Sequence, residues 1–259
     1  MSETKSALIE QPAPGILRVV LNKPEKRNAF DPTMRAEAMA AFQLAARDSA
    51  VRAIILTGAG HVFSAGGDVS SMGKSNEVTG DARMAGNHEF CRLVYRCEKP
   101  VIAAVEGPCV GAGVGLALLC DTIIAGEGAR FGFPFVKLGL APDYGIAFTL
   151  PQRCGIGIAK SLVFTGRIIQ AAEALEIGLA DRVVPDAAVQ EAALLLAQDM
   201  ALQSAHAIAL SKRMFQNLPQ SFDAALDLER TCQTLAMVSA DHQEGVAAFM
   251  EKRAANFGG

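Results

Sequence analysis

The chain has 259 residues, of which 51% are hydrophobic, and it carries a formal net charge of −3 at pH 7. A chain of this length can bury roughly three quarters of its unfolded surface, so we expect a sizeable core. The absence of a basic stripe argues against nucleic acid as a partner. Residues 1–15 lack an apolar stretch, and the longest apolar run, 109–120, is shorter than the roughly 18 residues that span a bilayer. We therefore expect a cytoplasmic protein without a membrane partner.

The six cysteines show no Cys-x-x-Cys pair. In a chain of this size such cysteines are typical of small buried or half-buried apolar side chains, and we expect no bound metal. They are Cys91, Cys97, Cys109, Cys120, Cys154 and Cys232.

The first elements in chain order are a hairpin and a helix. Aliphatic runs at 7–10 and 16–21 flank the turn-rich segment 12–15, which predicts two antiparallel strands. A helix is predicted to begin at Asp31-Pro32, with the aspartate as N-cap and the proline at the first helical position. Its apolar face, at helical spacing, consists of Met34, Ala38, Ala41, Phe42 and Ala45.

Two predicted strands are each followed by a glycine-rich turn. Strand 53–57 precedes the turn 63–68, and strand 101–105 precedes the turn 107–115, after which a helix is expected. Glycine leaves backbone N–H groups uncovered, and two such groups aimed at one point can bind an oxyanion. The alternative is that these glycines only permit tight turns between strand and helix.

The remaining elements follow from composition and periodicity. Strands alternating with helices indicate the α/β class. The sequence predicts a polar loop at 70–83, a helix at 84–97, a strand at 122–125, a pocket-lining loop at 131–144, mostly helix after Gly155, an extended piece at 178–185 and three helices from about 186 to the end.

Several segments occur in an order that is typical of one family. They are Asn22-Lys23-Pro24, Arg27-Asn28-Ala29, Phe63-Ser64-Ala65-Gly66-Gly67-Asp68, Lys99-Pro100 through Gly107, Gly111-Ala112-Gly113 through Asp121, Phe131-Gly132, Lys137 through Pro142, Leu162 through Gly166, Glu173 through Leu179, and Phe249 through Arg253. With these segments the chain resembles the crotonase (enoyl-CoA hydratase/isomerase) superfamily over nearly its whole length.

The resemblance implies a ββα spiral core at 1–195 and a helical C-terminal region at 196–259 that builds a homotrimer or a hexamer. It also implies acyl-CoA thioester substrates, so that coenzyme A is part of the substrate and no separate cofactor is expected. The oxyanion hole would consist of the N–H groups of Gly67 and Ala112. A helix beginning at Ala112 would add positive potential there, where an enolate oxygen develops.

The chain departs from the hydratases of that family. By the resemblance, their two water-activating glutamates fall at Gly115 and Phe135, neither of which can transfer a proton. The nearest replacement is Asp143, which resembles the carboxylate of family members that move a double bond by shuttling a proton. A desolvated aspartate is a better base. Asp143 could instead cap a helix beginning near Tyr144.

Three other functions remain open. The first is weak residual hydration of an enoyl-CoA. The second is aryl-CoA dehalogenation or hydrolysis, because His88 resembles the base of the aryl-CoA dehalogenases, in which a carboxylate at the place of Asp143 is the nucleophile. Those enzymes have a tryptophan at the place of Phe135, and this chain contains no tryptophan. A lone histidine on a helix is more often structural or solvent-facing. The last alternative is a catalytically degenerate acyl-CoA-binding protein.

Further residues are candidates for substrate contact. Lys26 and Arg27 suit the CoA phosphates, or form a solvated charge run. Phe133, Phe135 and Tyr144 either line the acyl pocket or pack in the core. Phe249 and Lys252 match family positions that reach the adenine end of CoA, often from a neighbouring subunit. Ala65 and Asp68 belong to the first glycine turn, which Asp68 is expected to order.

Overall fold

The computed structural model describes residues 5–68, 76–217 and 221–257. Within them the strands, numbered in chain order, are β1 (Ala7–Ala13), β2 (Ile16–Leu21), β3 (Ala53–Gly58), β4 (Val101–Val105), β5 (Pro108–Val110), β6 (Thr122–Gly126), β7 (Arg130–Gly132), β8 (Ile168–Gln170) and β9 (Arg182–Val184). The α-helices are α1 (Pro32–Arg47), α2 (Glu77–Tyr95), α3 (Ala112–Leu118), α4 (Ile146–Thr165), α5 (Ala171–Glu176), α6 (Val189–Ala201), α7 (Ala205–Gln216), α8 (Phe222–Met237) and α9 (Ala240–Glu251).

The main sheet has the strand order β1-β2-β3-β4-β6-β9. β1 pairs with β2 in the antiparallel sense, as the predicted hairpin requires, and the other neighbours are parallel. Every residue of β3 and β4 is buried. Ile54 and Leu56 pack in one cluster with α1, whereas Ile55 packs with α6 in the other. The sheet is therefore covered on both faces, which explains why these strands are continuously apolar.

A second, smaller sheet has the order β5-β7-β8, with β5 and β7 parallel and β7 and β8 antiparallel. β5 and the start of α3 together form the second glycine turn. The small sheet thus holds this turn next to the end of the main sheet.

Most predictions for the first half are confirmed. α1 begins at Pro32 with the Asp31 side chain accepting a hydrogen bond from Met34 N, and its buried face is the predicted one. The six cysteines are buried. The predicted polar loop 70–83 is wrong from Glu77 onward, because Asn76 and Thr79 form a capping box that starts α2 there. Residues 70–75 of that loop lie outside the described residues.

The predicted three C-terminal helices are four, α6 to α9. Serine N-caps start the last three of them: Ser204, Ser221 and Ser239 accept hydrogen bonds from the backbone of α7, α8 and α9. The predicted division between 195 and 196 falls within α6, and it stays a prediction. Lys212 of α7 attaches the helical region to the core, because its ammonium contacts the carboxylate of Asp121 at 2.5 Å and the carbonyl of Lys99 at 2.8 Å.

No single helix in the described ranges is both long and apolar enough to cross a membrane, and one pair, Asp186–Ala201 with Ala205–Gln216, meets the criterion only jointly across a 107° bend. Among the same residues, no three His, Cys, Asp or Glu side chains are grouped to hold a metal ion.

Asn28 fixes the loop that leads into the first glycine turn. It is fully buried, and its amide donates to the carbonyls of Ala59 at 2.9 Å and Val62 at 2.6 Å, while its Oδ1 accepts from Lys23 N at 2.9 Å. Its φ of 53° lies in the left-handed region, which asparagine tolerates better than most residues.

We predict that Asn28→Ala lowers the free energy of unfolding by about 2–4 kcal/mol, because two carbonyls lose their donor and alanine is strained at this φ. Urea denaturation followed by circular dichroism measures the loss. Asn22→Ala is the matched control, since it removes only an exposed hydrogen bond to the Lys5 carbonyl. Equal unfolding midpoints for the two variants would contradict this role of Asn28.

Candidate active site

The two glycine turns are hydrogen-bonded to each other. Ser64 N donates to the Pro108 carbonyl at 3.1 Å, and Val110 N donates to the Ser64 carbonyl at 2.9 Å. A Cβ on Gly66 would lie 2.6 Å from the Val110 carbonyl oxygen and 3.3 Å from Ala112 N. A side chain at position 66 would therefore push the turns apart, so the close approach requires glycine there.

Two backbone amides of these turns remain available to a ligand. The neighbouring amides are used, since Ala65 N donates to the Arg27 carbonyl at 2.8 Å, Gly66 N to Ser64 Oγ at 3.1 Å and Gly111 N to the Gly132 carbonyl at 2.9 Å. Gly67 N and Ala112 N donate no hydrogen bond within the described residues. Ala112 is the first residue of α3, whose N–H has no acceptor inside the helix.

Gly67 and Ala112 line one cavity of about 100 Å³. Ala65, Phe135, Asp143 and Tyr144 line the same cavity. The structure thus brings together six of the predicted site residues, drawn from three separate segments of the chain. Both candidate oxyanion donors and the candidate base therefore adjoin one space.

Asp143 lies in the loop before α4. Its Oδ1 is buried and has no hydrogen-bond partner in the part of the chain that the structure describes. Burial raises the pKa of this carboxyl from 3.8 to about 6, against the lowering effect of its own backbone N–H and of Arg83 and His88. The alternative helix cap is wrong, because α4 begins at Ile146 after Gly145 and has no side-chain cap.

Tyr144 occupies the space beside Gly115. A Cβ on Gly115 would lie 2.3 Å from the Tyr144 Cβ. The Tyr144 backbone has a φ of 51°, which is unusual for a bulky residue. Its ring packs edge-on against Phe30 with centroids 6.0 Å apart. At the position of the first hydratase glutamate, the cavity wall is therefore an aromatic ring.

Other predicted site residues lie outside this cavity. Phe133 is fully buried but does not line it, so it packs in the core. His88 is exposed on α2, Lys26 and Arg27 are exposed, and Asp68 is half-buried. Phe249 of α9 is 82% exposed, and Lys252 follows the end of that helix. None of these residues lines the cavity.

Three polar residues of the cavity wall were not predicted: Arg35 of α1 and Arg83 and Asn87 of α2. Arg35 Nη1 donates to Asn87 Oδ1 at 2.6 Å. Arg83 and Asn87 are four residues apart, so they lie on one face of α2. In the sequence, only this spacing indicates that Arg83 and Asn87 belong together. The helix was predicted to start at residue 84, which left Arg83 outside it.

The chain matches the family model described as enoyl-CoA hydratase/isomerase over residues 11–259. It is 37% identical over 252 residues to 1,2-epoxyphenylacetyl-CoA isomerase of Escherichia coli K12, with 95% of each chain covered. It is 34% identical to 2,3-dehydroadipyl-CoA hydratase of the same organism, covering 98% of this chain and 99% of that one.

The crystal structure of enoyl-CoA hydratase from Bacillus anthracis is similar to this fold with a TM-score of 0.94 at 30% identity, covering 98% of this chain and 100% of that one. The likeness confirms the predicted α/β spiral with its C-terminal helices.

We predict that Asp143→Asn stabilises the protein at neutral pH. The pKa of Asp143 is about 6 in the folded chain and near 3.8 in the unfolded chain, so the folded state binds the extra proton between these values. The free energy of unfolding of the wild type therefore falls as pH rises through this window. The variant should gain about 2–3 kcal/mol at pH 7 and almost nothing below about pH 4.

Urea unfolding at a series of pH values measures this difference. Asp199→Asn, which replaces an exposed carboxylate on α6, is the control. A gain that does not change with pH would show that Asp143 does not carry the buried proton.

Proposed function

Because the chain belongs to the enoyl-CoA hydratase/isomerase family, we propose that it acts as an isomerase that shifts the double bond of an enoyl-CoA thioester. One observation carries the proposal. Asp143 has a buried carboxyl oxygen without a hydrogen-bond partner among the described residues. It lines the same cavity as Gly67 and Ala112, whose backbone N–H groups donate no hydrogen bond within those residues. A base and an oxyanion hole in one small cavity are what the removal of an α-proton from a thioester needs.

In the proposed reaction the thioester oxygen of a 3-enoyl-CoA accepts hydrogen bonds from Gly67 N and Ala112 N. Asp143 takes the proton from the α-carbon, and the C–H electron pair moves into a dienolate whose charge lies on the thioester oxygen. The protonated carboxyl then returns the hydrogen to the γ-carbon, which leaves the double bond between the α- and β-carbons. Each oxyanion donor contributes about 3 kcal/mol to the stability of such a transition state.

The cavity wall supports isomerisation over hydration. Phe135 stands where the resemblance places one hydratase glutamate, and Tyr144 fills the space beside Gly115, where it places the other. Asp143 is then the only carboxyl among the residues that line the described cavity. A single carboxyl suffices for a proton shuttle between two carbons, whereas water addition by the family mechanism uses two.

Dehalogenation receives no support from the position of His88. It is near enough to lower the pKa of Asp143, but its side chain is exposed and does not line the cavity, which argues against a base that activates water on an ester of Asp143. Release of halide from a haloaryl-CoA that is lost in His88→Gln would reverse this conclusion.

We predict that Asp143→Ala lowers kcat/KM for 3-enoyl-CoA isomerisation by about 10²–10⁴-fold, because the variant lacks the proton shuttle. Exchange of α-protons with heavy water should fall with it. In the wild type, kcat/KM should rise with pH through about 6, since only the ionised carboxyl is a base.

Asp199→Ala is the control for this loss. A decrease of less than about tenfold in Asp143→Ala, or faster hydration than isomerisation by the wild type, would contradict the proposed reaction. Tight binding of a CoA thioester without any proton exchange would favour the degenerate binding protein.

The C-terminal helices are proposed to build a homotrimer or a hexamer. Large apolar side chains on α7, α8 and α9 are exposed within a single chain, including Phe215 at 73%, Phe222 at 76%, Phe249 at 82% and Met250 at 73%. Exposed apolar surface of this kind marks contact sites. By the family resemblance, we propose that in such an assembly Phe249 and Lys252 contact the CoA of a neighbouring subunit.

We predict that Phe222→Asp dissociates this assembly, because a carboxylate buried in an apolar interface is destabilising. Sedimentation velocity should show a trimer or hexamer for the wild type and a smaller species for the variant. Glu229→Gln, which alters an exposed position on the same helix, is the control. A monomeric wild type at micromolar concentration would rule out the assembly.

A further inference from the structure

Arg35 puts a fixed positive charge into the wall of the active-site cavity. Its side chain lines the same space as Gly67, Ala112 and Asp143, and the residue is half-buried. No carboxylate in the described ranges forms an ion pair with it. The charge is therefore not neutralised by a salt bridge within this part of the chain.

The guanidinium is held by neutral groups of α2. Its Nη1 donates to Asn87 Oδ1 at 2.6 Å, and Asn87 is only 5% exposed. Gly86 gives it room, because a Cβ there would lie 3.0 Å from Arg35 Nη2 and 3.1 Å from its Cζ. The amide of Asn87 orients the guanidinium and Gly86 makes room for it. Because both groups are neutral, the positive charge of Arg35 is not compensated by them.

An arginine in this setting suits one class of ligand. The planar guanidinium carries five N–H donors, of which the contact with Asn87 uses one. The fork that remains matches the two oxygens of a carboxylate. Besides Arg35, the charged and amide side chains of the wall are those of Arg83, Asn87 and Asp143. The other members are aromatic, apolar or backbone, including Phe30, Pro134, Leu138 and Leu140, so a partly desolvated cation at position 35 attracts an anionic group of the ligand.

We propose that Arg35 binds a carboxylate at the far end of the acyl group, so that the substrates are CoA thioesters of short unsaturated dicarboxylic acids. This inference rests on the proposed function for the position of the thioester at Gly67 and Ala112. The cavity is small, at about 100 Å³, which favours a short acyl chain between thioester and carboxylate.

The test uses matched series of 3-enoyl-CoA thioesters of increasing chain length. At each length the far end is a methyl group, a carboxylate or the neutral methyl ester of that carboxylate. At the best length, the wild type should prefer the carboxylate by about tenfold or more in kcat/KM. Arg35→Gln should lose that preference mainly through a rise in KM for the carboxylate-ended series, and its loss in kcat/KM on the methyl-ended series should be several-fold smaller at every length. Arg47→Gln, on the exposed end of the same helix, is the matched control.

Gly86→Ala provides a second variant that keeps the charge. The added methyl group displaces the guanidinium by a few tenths of an ångström, while alanine favours the helix, so the variant should fold and show a weaker carboxylate preference. A wild type that prefers the methyl or ester series would overturn the proposal. Equal losses on all three series in Arg35→Gln and Gly86→Ala would also overturn it.

Calorimetry with saturated analogues separates this proposal from the proposed function. Tighter binding of the carboxylate-ended CoA thioester that depends on Arg35 supports the carboxylate site, even if no thioester is isomerised. Isomerisation without any such dependence supports the reaction and rejects the carboxylate site.

Discussion

The contact between the two glycine turns is the interaction on which the site depends. Ser64 is its centre, since its N–H and carbonyl bind the segment 108–110 and its hydroxyl donates to the Asn28 carbonyl at 2.7 Å while accepting from Gly66 N. With every polar group of Ser64 engaged, the following amides have a fixed direction. The neighbouring amides satisfy the internal acceptors, so within the described residues Gly67 N and Ala112 N are left without one, and in the proposed function they bind the thioester oxygen. Preorganised donors of this kind need no rearrangement when charge develops.

The burial of Asp143 lowers the stability of the folded protein at neutral pH and at the same time makes the carboxylate more basic, and nearby cations moderate both effects. A carboxyl oxygen buried without a partner disfavours the charged form and so destabilises the folded protein at neutral pH. The same burial makes the carboxylate a stronger base. Arg83 moderates the effect, since its charge lowers the pKa of Asp143, while Arg35 is turned toward Asn87. The two arginines therefore act on different parts of the cavity.

The sequence was sufficient wherever local chemistry decides the structure. The N-cap and apolar face of α1, the buried strands β3 and β4, and the two glycine turns follow from short-range patterns. The start of α2 was missed because an asparagine–threonine capping box lies within a polar stretch. Arg35 could not be identified as a cavity residue, because only the packing of α1 against α2 makes one arginine on an amphipathic helix different from the others. That the N–H groups of Gly67 and Ala112 have no acceptor in the described residues likewise depends on hydrogen bonds between segments far apart in the sequence.

Tyr144 has a left-handed backbone and packs against Gly115. A substitution at either position that changes the chemistry of the cavity therefore depends on the residue at the other. Any side chain at 115 meets the Tyr144 Cβ, and at 144 only glycine removes that Cβ and relieves the strain of the left-handed backbone. The order of substitution therefore matters: position 144 must change first and position 115 second. The effects of such neighbouring changes are not additive, so a carboxylate at 115 can be accommodated only together with the change at 144.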